Sequence, residues 1–342
     1  MAGMVPEDVY ALTGVGDPRL SPDGATVACV VGSVDKDANE YRAAIWLAAA
    51  DGSVPPQRFT TSEKADADPR WSPDGTQLAF TSNRADKASQ LYVMPVAGGE
   101  PRKLTSLKED VTQAAWSPDG TRIAYVSFEQ RKAIVFVHDL VAGSRRIVAN
   151  YDGSNSAPAW APDGQTLGVV LSKDGVSQIY TMRTDGSNLA RITNSDSIDT
   201  EPSFSPDGKS ILFTSDRGGS PQIYRMRTNG GGVERVTFEG SYNVTPRYAP
   251  DGKSFAFIQR SQGRYSLATM DFGSRQTQIL TDGQLDGSPS FAPNGRLLLY
   301  ASIVRGRGIL AAVSSDGRIK QKITASAQDV REPAWGPLGA GH

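Results

Sequence analysis

The side chains that most often do chemistry are scarce in this chain. Cys29 is the only cysteine, and His138 and His342 are the only histidines. A single thiol excludes an internal disulfide, and two histidines are too few for a Cys/His zinc site. No Gly-x-Ser-x-Gly elbow is present, so a serine hydrolase lacks its nucleophile, and a triad would have to rely on His138 inside the strand-like VFVHDL. The glycine pairs near 218–219 and 230–232 have no Lys-Ser/Thr after them and no following helix, which removes a phosphate loop. Carboxylates remain. Asp199, Glu201, Asp286 and Glu332 are the set that would hold a divalent cation if their side chains converged, but spacing alone leaves that open. No catalytic residue, cofactor or metal is expected.

Charge points the same way. Lys and Arg total 36 against 37 Asp and Glu, and mean hydropathy is -0.36. That balance supplies no field for gripping nucleic acid or an anionic membrane. No apolar run approaches the roughly 18 residues of a membrane span. Met1 to Tyr10 contains acids and no apolar stretch of signal-peptide length, so a cytoplasmic location is expected for the chain as written.

The informative residues are the glycines and prolines, because they recur. A Pro-x-aromatic-Ser/Ala-Pro-Asp-Gly phrase appears, with small departures, as DPRLSPDG, DPRWSPDG, QAAWSPDG, APAWAPDG, EPSFSPDG, TPRYAPDG and SPSFAPNG, with EPAWGPLG near the end. The last Gly of each falls at 24, 75, 120, 164, 208, 252, 295 and 339. A period near 44 residues is one supersecondary unit. Pro sets the first corner of each turn, Asp favours it through its side chain, and Gly takes the positive φ that returns the chain.

Each unit has the same grammar. An aromatic strand precedes the turn, and an alternating strand such as TQLAFTS or KSILFTS follows it. A second strand (91–96, 179–182, 223–226) and a short strand ending in Leu/Ile/Val-Thr complete the unit. Four short antiparallel strands cannot bury both faces alone, so the units must stack radially into an all-β propeller. Seven blades are expected, with an incomplete eighth as the alternative, in one domain over 1–342. A helical turn is expected only near Pro6 to Leu12. Cys29, within VACVV, reads as a small buried hydrophobe.

These phrases resemble two families. From about Ala114 to Leu338, WSPDGTRIAYVSFE, VHDLVAGSRR, IDTEPSFSPDGKSILFTSDRGGSPQIYRM and RVTFEGSYNVTPRYAPDG resemble the TolB family of periplasmic propellers. Residues 5 to about 112, with PEDVYALTGVGDPRLSPDG and DADPRWSPDGTQLAFTSNR, resemble the propeller of prolyl oligopeptidase-class peptidases, particularly acylaminoacyl peptidases. The two texts meet near the third SPDG hairpin. The chain therefore reads as a chimera, engineered in preference to naturally recombined. Residues 1–112 would form two peptidase-like blades, 113–325 five TolB-like blades, 326–338 a closing strand, and 339–342 a tail. Asp17 to Leu20 and Glu332 to Trp335 would compete for one innermost slot, and the C-terminal strand is expected to take it.

The TolB resemblance implies a non-catalytic, monomeric protein-binding scaffold whose channel mouth receives Pal, the peptidoglycan-associated lipoprotein. Carried over by position, the partner-binding residues are Ser154, Ala157, Thr200, Glu201, Tyr242, Thr245, Asp286, Ser288, Arg331 and Glu332. Asp66, Asp68 and Thr112 extend that acidic, hydroxyl-rich mouth into the peptidase-like blades. The peptidase resemblance implies an alternative, a substrate-gating propeller whose hydrolase domain is supplied by another chain.

Overall fold

The computed structural model describes residues 13–49, 53–129, 131–283, 285–292, 294–304, 307–322 and 334–335. The expected turn at 6–12 and the tail at 339–342 lie outside them. The described residues contain strands and no helix, and none forms a helix long and apolar enough to cross a membrane.

Seven antiparallel sheets form seven blades, over residues 13–58, 66–103, 111–149, 155–191, 199–235, 242–279 and 287–322. Each blade runs in sequence order from an innermost strand to a short outer one. The outer strand is only two or three residues long in six of them. Its brevity has a cause in the Leu/Ile/Val-Thr ending. The hydroxyls of Thr60, Thr105, Thr193, Thr237 and Thr281 accept the N–H of Ile45, Leu91, Ile179, Ile223 and Leu267, each at 2.9 Å. A side chain therefore takes over from the backbone ladder where the strand turns away.

The core is a ring of seven apolar clusters, one between each pair of neighbouring blades. Alternation sets this arrangement. In the fifth blade Ile211 and Phe213 pack toward the fourth, while Leu212 between them packs toward the sixth. Among the described residues the smallest cluster joins the last blade to the first, where Leu20 and Val27 meet Leu299 and Ala312.

The turns keep the blades in register. In the Ser-Pro-Asp-Gly hairpins the Asp carboxylate accepts the Ser hydroxyl and a following backbone N–H, as in Ser205 and Lys209 to Asp207. Gly75 sits at φ 71°, and a Cβ there would lie 3.3 Å from the ring of Pro22 in the preceding blade's turn. Gly120 meets Pro73 in the same way, and the pattern continues through Gly164, Gly208, Gly252 and Gly295.

Closure differs from expectation. The strand Thr13–Leu20 occupies the innermost slot of the first blade, antiparallel to Thr26–Asp35. The C-terminal strand Ala334–Trp335 does not displace it. It adds as a fifth strand, parallel, with Arg19 opposite Ala334 and Leu20 opposite Trp335, and it touches the innermost strand Gly287–Phe291 of the last blade. The two segments share the aromatic phrase, but Thr13–Leu20 pairs along most of its length with the ten-residue strand after it, a longer ladder than a two-residue segment makes.

Candidate functional site at the channel mouth

Successive innermost strands touch one another around the axis, with Ala334–Trp335 between the last and the first, and each carries a register shift. In the first six, among the described residues, one residue within the shift has a left-handed backbone although it is not glycine: Asp17, Asp68, Gln113, Ala157, Glu201 and Thr245, at φ between 41° and 58°. Left-handed backbone costs an L-residue about 1–2 kcal/mol. Such a bulge re-aims the strand and increases its twist. The same strained corner therefore stands at the same height in six consecutive blades.

Side chains cross-link these corners. Gln113 Oε1 accepts the N–H of Ala157 in the next blade at 2.9 Å. Glu201 Oε2 accepts the N–H of Thr245 at 2.9 Å and the hydroxyl of Thr214 at 2.6 Å. Between the first two blades, Arg70 donates to both Asp17, at 3.3 Å, and Asp68, at 3.0 Å, while Arg19 pairs with Asp17. Burial pushes the Asp17 carboxyl up, against the pull of the two guanidiniums.

Glu201, Tyr242 and Thr245 are thus brought together. Tyr242 is half-buried, edge-on to the Tyr265 ring at 6.0 Å. Burial first, and then the neighbouring Glu201 charge, raise its phenol above the ordinary range. Thr200 lies opposite Thr214 on the same blade. Ser154 stands apart: it is exposed, and its N–H donates to Ser172 Oγ at 2.7 Å. Of Ser288 the structure describes only the backbone, in Gly287–Phe291. Arg331 and Glu332 lie outside the described residues.

Asp286 departs from the expected surface role, because its side chain is buried at 4% exposure. It heads a series of buried residues that open the innermost strands: Asp66, Asn155, Asp199, Asn243 and Asp286. Two of the acids are neutralised locally. Arg84 pairs with Asp66 at 2.9 Å, and Arg217 pairs with Asp199 at 2.8 Å while covering the rings of Phe213 and Tyr224. Asn155 and Asn243 are held by backbone and amide partners around Tyr151 and Gln222. Asp286 has no arginine in that place: the position of Arg217 corresponds to Val304. Its carboxyl is bonded by Thr281, and burial pushes it up. These acids are internal pins, so they do not form a cation site with Glu201. Among the described residues no three Cys, His, Asp or Glu side chains gather as metal ligands.

Sequence reading missed Gln113 and Thr214. The signal for Gln113 was its place in QAAW, where every neighbouring phrase but this one has a proline two residues before its aromatic residue. His138 is buried within the third blade, and burial lowers its imidazole. Cys29 is buried as well, its thiol pushed up to about 11.

The linkers that lead into the corners add charge. Glu63, Glu109, Asp110, Asp152, Asp196, Glu239 and Asp282 are all exposed, at least one in each linker. The four linkers at 148–155, 192–199, 236–243 and 280–286 contain no Lys or Arg. Ile198, Phe238 and Leu285 stand exposed among them.

Residues 102–339 match the family described as the TolB beta propeller domain. The chain belongs to the TolB β-propeller family. It is 53% identical over 320 residues to the Tol-Pal system protein TolB of Methylobacillus flagellatus, covering 94% of this chain and 63% of that protein. The crystal structure of TolB from Acinetobacter baumannii superposes with a TM-score of 0.63 at 30% identity, over 98% of this chain and 86% of that one. A separate match, 45% identical over 103 residues, is to the Uncharacterized peptidase YuxL of Bacillus subtilis; it covers 30% of this chain and 15% of that protein. The chain thus spans less than two thirds of the length of these curated relatives.

Proposed function

We propose that this TolB-family propeller is a non-catalytic protein-binding scaffold whose mouth docks a Pal-type lipoprotein. The observation that carries the reading is the cross-linked set of left-handed corners, strained at the same position in blade after blade. Strain of this kind collects where a surface must be held ready for a ligand, and a rigid mouth loses less conformational entropy on binding. The acidic linkers with their exposed Ile198, Phe238 and Leu285 suit a partner that presents cationic and apolar groups. Ser154, Ala157, Thr200, Glu201, Tyr242 and Thr245 form the contact set on this reading, with Ser288, Arg331 and Glu332 completing it. A periplasmic setting goes with such a partner.

Titrating purified Pal by calorimetry at low and high salt tests the proposal. Saturable heat that weakens with salt is expected; heat no larger than dilution at tens of micromolar removes the reading.

On the phrases at 5–112 we read the chain as a hybrid of peptidase-type and TolB-type blades, and the 103-residue YuxL match supports a peptidase-type contribution. It also favours a second reading, a gating propeller that screens peptides for a separate hydrolase. Turnover of acyl-peptide esters by such a hydrolase domain, unchanged on adding this chain, would count against it.

A further inference from the structure

On the opposite rim, between the third and fourth blades, Arg122 fills a groove beside the turns. Its guanidinium lies 5.7 Å from the Trp160 ring. It donates to Thr184 Oγ1 at 2.9 Å, to the Gly164 carbonyl at 3.0 Å and to Asp119 at 3.2 Å. Aromatic face, hydroxyl, carbonyl and carboxylate make a complete receptor for a planar cation.

The repeat reproduces that receptor between the sixth and seventh blades. Counting from the turn glycines, Asp251 stands where Asp119 does, Gly295 where Gly164 does and Phe291 where Trp160 does. Ser315 takes the place of Thr184: its N–H bonds Arg296 O as that of Thr184 bonds Gln165 O. The residue equivalent to Arg122 is Ser254, too short to reach them. What remains is a groove of about 840 Å³ lined by all five.

At the two intervening interfaces the residue equivalent to Arg122 is bonded within the protein. Between the fifth and sixth blades the Tyr248 hydroxyl bonds Ser210 Oγ at 2.7 Å. Between the fourth and fifth, Thr166 donates to Asp163 at 2.9 Å.

We infer that the groove between the sixth and seventh blades is a guanidinium-binding site, formed by Asp251, Phe291, Gly295 and Ser315 and left open by Ser254. Its ligand is an arginine side chain of a partner protein or a free guanidinium compound. The site is independent of the mouth.

The test is titration of isotope-labelled protein with Nα-acetyl-arginine amide, a Gly-Ser-flanked arginine peptide and free arginine, with the lysine analogues as controls. Saturable amide shifts confined to 251–254, 291–295 and 315 are expected, with affinity in the millimolar range. Preference for the peptide over free arginine assigns the source to a partner, and the reverse to a metabolite. Asp251→Asn should weaken binding about tenfold. Ser254→Arg should abolish it, because the built-in guanidinium occupies the groove as Arg122 does in its own. No saturable response, equal response to lysine, or full binding in a folded Ser254→Arg would overturn the assignment. If Ser254→Arg fails to fold, the arginine-lysine comparison and Asp251→Asn decide alone.

Discussion

The indole N–H of Trp116 donates to the backbone carbonyl of Arg70 at 2.9 Å, tying the third blade to the second. Trp71 and Trp160 make the same bond to Arg19 and Ala115 at 2.8 and 3.0 Å. Replacing Trp116 by Phe keeps most of the ring and removes the donor. We expect a loss of about 1 kcal/mol in urea unfolding. An unchanged midpoint would mean the bond adds nothing between these two blades.

Arg217 neutralises a carboxylate that is wholly buried. Arg217→Met should therefore cost about 3–5 kcal/mol, the usual result of stranding one member of a buried pair. Adding Asp199→Asn should recover much of that, since Asn155 and Asn243 occupy the equivalent place in neighbouring blades. Chemical denaturation of both variants checks this, and a double variant no better than the single one would contradict it.

Asp286 lacks that arginine, and its carboxyl is raised above 3.8, chiefly by burial, with Asp282 adding in the same direction. A raised acid holds its proton more tightly in the folded chain than in the unfolded one. Its favourable contribution is therefore complete below the unfolded value and is lost as pH rises through the folded value. Asp286→Asn cannot ionise, so it should stabilise the protein at pH 7.5 and lose that advantage near pH 4. Thermal melts at the two pH values provide the comparison; a variant less stable than the parent at pH 7.5 would refute it.

The apolar seam between the last and first blades is the thinnest among the described residues. Amides of the first and seventh blades should exchange with solvent before those of the third and fourth, whose shared cluster is far larger. Hydrogen exchange by mass spectrometry measures the order, and uniform protection around the ring would dismiss it.

The fold was legible because turn chemistry repeats: seven hairpins with Gly at a required positive φ leave few architectures open. Closure was not, because Asp17 to Leu20 and Glu332 to Trp335 carry one local pattern, and only pairing length separates them. At the mouth, spacing located Glu201 and Thr245 but gave no hint that their backbones turn left-handed, since neither residue favours that conformation. The burial of Asp286 was hidden for a related reason. Its neighbours in the series are satisfied by residues such as Arg217, 18 positions away, and a carboxylate reads alike in solvent or in the interior. The Thr-Ser-Asn-Arg and Thr-Ser-Asp-Arg phrases at 81–84 and 214–217 were the available clue.

The meeting of each turn's Gly with the Pro of the turn before it has an evolutionary corollary. Because every hairpin offers the same prow and the same notch, a blade recognises its neighbour by a feature all blades share. Units of different descent can then be spliced without refitting the rim, and the circumference of the ring becomes a matter of how many are strung together.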